Sequence, residues 1–150
     1  MSITIAAGGL SQQRVTDTTT TGLDLFGNDP TIVAVRVNGE LRDLNRTLPK
    51  DALVEPVKID SSDGLDILRH STAHVAAQAV QSLHSEARLG IGPPIKDGFY
   101  YDFDVAEPFT PDDLRQIEKA MIKIIKERQR FQRRAVTDEE ARAELASEPY

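Results

Sequence analysis

Thr31-Ile32-Val33-Ala34-Val35-Arg36-Val37-Asn38-Gly39-Glu40-Leu41-Arg42-Asp43-Leu44 is the segment that sets the fold of the first part of this chain. Its first seven residues are dense in β-branched side chains, which suit a pleated, half-buried surface. Asn38-Gly39 follows at once. Both central positions of a type I′ turn need positive φ, and this pair adopts it readily. Glu40–Leu44 is therefore expected to return as an antiparallel strand. Upstream, Gly27-Asn28-Asp29-Pro30 ends an expected short helix between Asp17 and Phe26, capped by Asp17 or a nearby Thr. Residues 11–22 are rich in Ser, Thr and Gln and read as a turn region or a weak second strand. Ile3 and Ile5 alternate with polar neighbours, as an opening strand does. Downstream, Val54–Ile59 is a last strand, in which Pro56 suggests an edge or a bulge.

Strand, strand, short helix, hairpin, final strand is the order of a β-grasp, or ubiquitin-like, fold of the α+β class. Asp60-Ser61-Ser62-Asp63-Gly64 is a polar link. It sets an expected division into a domain over 1–62 and a second over 63–150. The second opens with a helix from Leu65 to about His84, with Ser62 or Asp63 as N-cap. Arg88–Pro94 reads as a loop. Gly98–Asp104 alternates, is aromatic and reads as one strand. Thr110-Pro111 opens a further helix with an apolar stripe of Leu114, Ile117, Met121 and Ile124. Phe131–Val136 is expected to be extended. Thr137-Asp138-Glu139-Glu140 is a capping box for a last helix running towards Ala146.

The composition is that of a globular chain, with 39% hydrophobic and 28% charged residues among 150. There is no cysteine, which excludes disulfides, thiolate zinc sites and cysteine nucleophiles within these residues. No signal peptide and no apolar run of about 20 residues is visible, so no membrane contact is expected and the cytoplasm is the expected location. The net charge of −6 argues against a protein that simply coats nucleic acid. Residues 123–134 depart from that balance, with Lys123, Lys126, Arg128, Arg130, Arg133 and Arg134 against Glu127 alone. That stretch is either a solvated face or a contact for phosphates.

His70 and His74 stand four residues apart on the expected helix. On a wheel of about 100° per residue, Leu68, Thr72, Val75, Ala79 and Leu83 form an expected core stripe. The two histidines fall on the other side, beside Ala77 and Gln81, where the small neighbours Ala73 and Ala77 leave room for a ligand. Such a pair can converge on a metal ion, a water or a substrate group, but its spacing alone favours two surface histidines on a solvated face. No glutamate follows His70, so this is not the metalloprotease form. Two ligands do not make a metal site, since catalytic zinc takes about three protein ligands and structural zinc about four. No metal site is expected in these residues. His84, at the helix end, reads as a local cap or a surface residue.

Three runs then identify a resemblance. Leu68-Arg69-His70-Ser71-Thr72-Ala73-His74, Gly90-Ile91-Gly92-Pro93-Pro94 and Asp97-Gly98-Phe99-Tyr100-Tyr101-Asp102-Phe103-Asp104 closely resemble the N-terminal editing domain of bacterial threonyl-tRNA synthetases. Val35–Leu44 resembles the TGS domain that precedes it in the same enzymes, a β-grasp module. The resemblance implies an enzyme that joins threonine to its tRNA with ATP and hydrolyses serine wrongly attached to that tRNA. It implies His70 and His74 as the catalytic histidines of the hydrolytic pocket, with Tyr101 and Gly92 at the substrate. It implies the acceptor end of threonine tRNA as partner, with Arg130, Arg133 and Arg134 as candidate nucleic-acid contacts. ATP, magnesium and one zinc, and the contacts of a homodimer, belong in this family to domains that these residues do not include. The family's later Cys-x-x-x-His motif is also absent, so the chain alone is expected to be inactive. The alternative is a TGS-bearing module that binds nucleic acid or a partner and performs no chemistry.

Overall fold

A computed structural model describes residues 2–7, 10–15, 19–129 and 132–146. The chain divides into two units, Met1–Leu68 and Arg69–Tyr150. The architecture is α+β.

In the first unit, strand β1 (Ser2–Ala7) pairs antiparallel with β2 (Leu10–Val15), so the weak second strand forms. Helix α1 (Gly22–Phe26) is shorter than the expected Asp17–Phe26. Thr21 caps it, and the Asp24 carboxylate accepts from the Thr21 backbone N–H at 2.8 Å in a reciprocal capping box. The expected cap Asp17 lies outside the described residues. Strand β3 (Ile32–Val37) turns at Asn38 (φ 50°) and Gly39 (φ 90°) into β4 (Glu40–Arg42), the hairpin its turn chemistry dictates. Strand β5 (Leu53–Lys58) pairs parallel with β1 and antiparallel with β3, giving the sheet order β2-β1-β5-β3-β4.

Pro56 therefore lies in the central strand, which corrects the expectation of an edge. The β1 ladder reaches only Leu53 and Val54, so Pro56 stands beyond it. The register irregularity falls on the partner, between Ile32 and Ala34. Ile3, Val35, Val37, Leu48, Ala52 and Val54 are buried together against Leu25, Phe26 and Leu44. This core is the apolar face of the alternation in β3 and β5.

Helix α2 (Ser62–Leu83) starts before the expected Leu65. Its N-cap is Ser61 rather than Ser62 or Asp63, since Ser61 Oγ accepts from the Gly64 N–H at 3.1 Å. Gly64 is buried against the backbone of Lys58 and Ile59, a close approach that a Cβ would block. The division between the units falls inside this helix.

In the second unit, the buried residues of α2 are Ala73, Ala76, Ala77, Ala79 and Val80. The expected stripe is corrected. Leu68 and Leu83 are 44% and 43% exposed, and Ala79 alone of that stripe is buried. The large aliphatic residues suggested the wrong face. What α2 buries is a strip of small residues.

The expected single strand Gly98–Asp104 is also corrected. Strands β6 (Arg88–Leu89) and β7 (Pro94–Ile95) lie within the expected loop. β7 pairs with β8 (Gly98–Phe99), and β6 pairs with β9 (Phe103–Asp104), so the run is split between two ladders. Asp102 continues the second ladder by donating its N–H to Ile91 O and accepting from Gly90 N–H, both at 2.9 Å.

Helix α3 (Pro111–Glu127) begins as expected, with Thr110 as N-cap and Pro111 in the first turn. The Thr110 hydroxyl and then its backbone N–H hydrogen-bond the Asp113 carboxylate, holding it below the usual aspartate range. Ile117 is buried and Met121 and Ile124 are half-buried, packed with Ala79, Val80, Phe103 and Phe109. Leu114 is 58% exposed, so the expected stripe loses its first member. The helix ends on Arg128 in the left-handed region, φ 50°. Residues 132–137 carry no regular element, and Phe131 lies outside the described residues. Helix α4 (Asp138–Glu144) is capped by Thr137, with Glu140 closing the box. Among the described residues, no helix is long and apolar enough to cross a membrane.

Candidate functional site

Two successive turns of α2 carry His70 and His74 on an exposed surface. Spacing of four residues stacks the side chains. Their Nε2 atoms stand 2.8 Å apart, with ring centroids 4.7 Å apart and planes inclined at 39°. A hydrogen bond between two ring nitrogens fixes the chemistry of the pair. One ring donates from Nε2–H, and the other offers its Nε2 lone pair and carries its proton on Nδ1. The two rings therefore sit with one donor and one acceptor directed at the same point. Here donor and acceptor satisfy each other, and a water that displaced this bond could accept from one ring and donate to the other.

His74 also borders a groove between α2 and α3. Val75 and Gln78 of α2, with Ile124, Ile125, Arg128 and Gln129 from the end of α3, complete its lining. Gln78 Nε2 donates to Gln129 Oε1 at 3.1 Å, tying the two elements there. The groove is mostly apolar, with an imidazole, two amides and a guanidinium at its border. That composition suits a small ligand with an apolar body and a few polar atoms. Gln78 was legible as the residue one turn after His74. The contributions of α3 were not, because they depend on how two distant segments pack.

Gly92 and Tyr101 are brought together, though neither lines that groove. A Cβ on Gly92 would overlap Cδ2 and Cε2 of the Tyr101 ring and stand 2.8 Å from Cγ. Only a glycine lets the backbone pass the ring here. On its other neighbour, Tyr101 stacks with Phe103, centroids 4.7 Å apart and planes 17° apart. Phe103 packs on the core of the unit, so the ring is held from the core outward. Of the remaining expected residues, Arg133 and Arg134 are not among those that line the groove at His74. Arg134 is paired with Glu144 on α4, Arg133 is exposed, and Arg130 lies outside the described residues. His84 ends α2, its ring centroid 5.4 Å from that of Phe109 and its Nδ1 3.9 Å from Glu86, which fits the expected local role. Among the described residues, no three His, Cys, Asp or Glu side chains are grouped to hold a metal ion.

No family model matches the chain. It is 65% identical over 139 residues to the threonine--tRNA ligase of Streptomyces avermitilis, covering 93% of this chain and 21% of that protein. It is 58% identical over all 150 residues to the threonine--tRNA ligase of Cutibacterium acnes, 22% of that protein. It is 66% identical over 125 residues to that of Leifsonia xyli, covering 83% of this chain and 18% of that protein. The chain is therefore similar to one segment of the bacterial threonine--tRNA ligases and spans about a fifth of the length of the relatives it matches.

Proposed function

We propose that the chain is the N-terminal portion of a threonine--tRNA ligase. Residues 1–62 form a TGS module of the β-grasp type, and residues 63–150 form the first part of the tRNA-editing domain. His70 and His74 then hydrolyse the ester of serine wrongly attached to threonine tRNA. The observation that carries this reading is the 65% identity to a threonine--tRNA ligase over 139 residues. The sheet order β2-β1-β5-β3-β4, with its parallel β1–β5 pair, supports the β-grasp assignment.

The chemistry explains why such a ligase needs a second site. A pocket for threonine rejects serine by the value of one methyl group, roughly 1–3 kcal/mol, which is about 200-fold at best. Hydrolysis at a separate site supplies the remaining discrimination. The donor–acceptor pair at His70 and His74 supports that role. Once a water displaces the hydrogen bond between the rings, one Nε2 lone pair takes its proton as it attacks the ester carbonyl, while the neighbouring N–H holds the oxygen. On this reading the groove at His74 receives the small side chain, and Gly92 and Tyr101, which do not line that groove, are assigned to the substrate region by the family resemblance.

On this reading, ATP, magnesium, zinc and the dimer contacts belong to the four-fifths of the ligase that the chain does not match, and the enzyme acts in the cytoplasm. The pocket needs further groups from that remainder, so the chain by itself neither charges nor deacylates tRNA. The test uses the complete ligase carrying this sequence. His70→Ala or His74→Ala is expected to raise serine mischarging and leave threonine charging intact. Equal loss of both activities, or unchanged mischarging, would overturn the assignment.

A further inference from the structure

Helix α3 has a second face. Opposite Ile117, Met121 and Ile124, the residues Lys119, Lys123 and Lys126 recur at i, i+4 and i+7, and all three are exposed. They line one shallow depression on the helix together with Ile122 and Glu127. The face is only partly neutralised from within, since Glu127, which lines the same depression, sets one carboxylate against three ammonium groups. Asp112, at its N-terminal end, is held by Arg115. Glu127, at its far edge, accepts from Gln129 Nε2 at 2.8 Å. Among the described residues, none of the three lysines is in an ion pair. The chain as a whole carries a net charge of −6, so three aligned cations do not follow from a generally basic composition.

Ammonium groups on flexible stems act as point charges, without the planar fork by which arginine recognises a single carboxylate or base edge. A row of them suits a row of phosphates, which positions a nucleic acid without reading its sequence. At ~1.5 Å rise per residue, Lys119 to Lys126 spans about 10 Å. One strand of duplex DNA presents a phosphate every ~3.4 Å along its axis and A-form RNA is more compact, so the row covers about three or four of them. We propose that the Lys119–Lys123–Lys126 face of α3 is a contact for the phosphate backbone of duplex RNA. The choice of RNA as the polyanion rests on the function proposed above; the phosphate contact rests on the lysine face itself. It differs from the expected contacts at Arg130, Arg133 and Arg134, of which Arg134 is already paired with Glu144.

The test is binding of this chain to a fluorescent RNA hairpin between about 50 and 200 mM salt. The logarithm of the affinity is expected to fall linearly with the logarithm of salt concentration. A triple Lys119→Gln, Lys123→Gln, Lys126→Gln variant is expected to reduce the magnitude of that slope by about 2–3, because each phosphate no longer neutralised removes about 0.7–0.9 from it. A control triple of Lys50→Gln, Lys58→Gln and Lys96→Gln removes the same charge from elsewhere and is expected to leave the slope in place. An unchanged slope in the first variant, an equal change in the control, or no hairpin binding by the parent chain would overturn the proposal. So would loss of binding to anionic vesicles with RNA binding unchanged, which would assign the face to a lipid surface. The hairpin carries no amino acid and needs no catalysis, so failure here leaves the hydrolytic reading to its own test.

Discussion

Gly92→Ala puts one methyl group where the Tyr101 ring already stands. The new Cβ would overlap Cδ2 and Cε2 and lie 2.8 Å from Cγ, whereas ordinary contact begins near 3.4 Å. The ring must therefore move by at least the 0.6 Å difference at Cγ (3.4 − 2.8), and by more at the two overlapped atoms. It has little freedom to do so, because it is stacked on Phe103, which packs on the core of the second unit. Forcing a methyl group into such a site costs about 1–3 kcal/mol. Disturbing the aromatic pair adds up to about 1 kcal/mol. A net loss of roughly 2 kcal/mol is expected. Urea unfolding followed by tyrosine fluorescence reads the right part of the chain, because there is no tryptophan and Tyr100, Tyr101 and Tyr150 all fall in the second unit. The Tyr101 signal itself is removed in a second variant, Tyr101→Leu, so circular dichroism accompanies it. In the Tyr101→Leu background, Gly92→Ala should cost less than about 0.5 kcal/mol, a coupling well above the error of additivity. A Gly92→Ala change within about 0.5 kcal/mol of the parent, or strict additivity of the two substitutions, would show that the ring does not confine this position.

Gly64→Ala is expected to destabilise the first unit by about 1 kcal/mol or more, because the overlap with the Lys58 carbonyl outweighs the helix-propensity gain of about 1 kcal/mol; denaturant midpoints check it. Thr110→Ala should lower the thermal midpoint through loss of about 1 kcal/mol of capping. The same variant should alter the acid limb of the stability curve. The Asp113 carboxyl lies below its ordinary range, so its contribution is present above the unfolded pKa and is lost as pH falls through the lower folded value. Without Thr110 that loss should disappear from a pH titration of stability. Ala79→Leu overfills a fully buried position on α2 and should cost about 1–3 kcal/mol, measured by urea unfolding, whereas Leu83→Ala at a 43% exposed position should cost less.

The parts of the fold that were legible are those whose determinants are local. Asn38-Gly39 specified its turn through positive φ at two adjacent positions, and Thr110 and Thr137 specified helix starts through residues three places on. The misread parts depend on distant partners. Alternation in Gly98–Asp104 signals extended backbone but not which strand it meets, and the ladders at Arg88–Leu89 and Pro94–Ile95 divide it. On α2, leucines at Leu68 and Leu83 outweighed alanines in the sequence pattern. Close packing instead selects the side with the smallest residues, because a neighbour can approach there. Pro56 was misread for a similar reason. The rule that excludes proline from a central strand applies to hydrogen-bonded positions, and the β1 ladder ends before it.

The site divides along the same line. The spacing of His70 and His74 was enough to place the rings one turn apart, but not to show that their Nε2 atoms share a hydrogen bond. The pairing of Gly92 with Tyr101 joins two strand-poor segments, and the residues alone gave no sign of it. The groove beside His74 needed the end of α3, with Arg128 in a left-handed conformation that side chains other than glycine rarely adopt.

Whether His70 and His74 act as one hydrolytic unit can be read from the single-turnover hydrolysis of preformed seryl-tRNA. The enzyme is the complete ligase carrying His70→Ala, His74→Ala or both. Each single variant is expected to lower the rate by about 10²–10⁴-fold, the range of a lost acid–base group. The double variant should then be little slower than the slower single, because groups that share one proton are not additive. Rates at the parent level in both single variants would rule out a hydrolytic role for the pair.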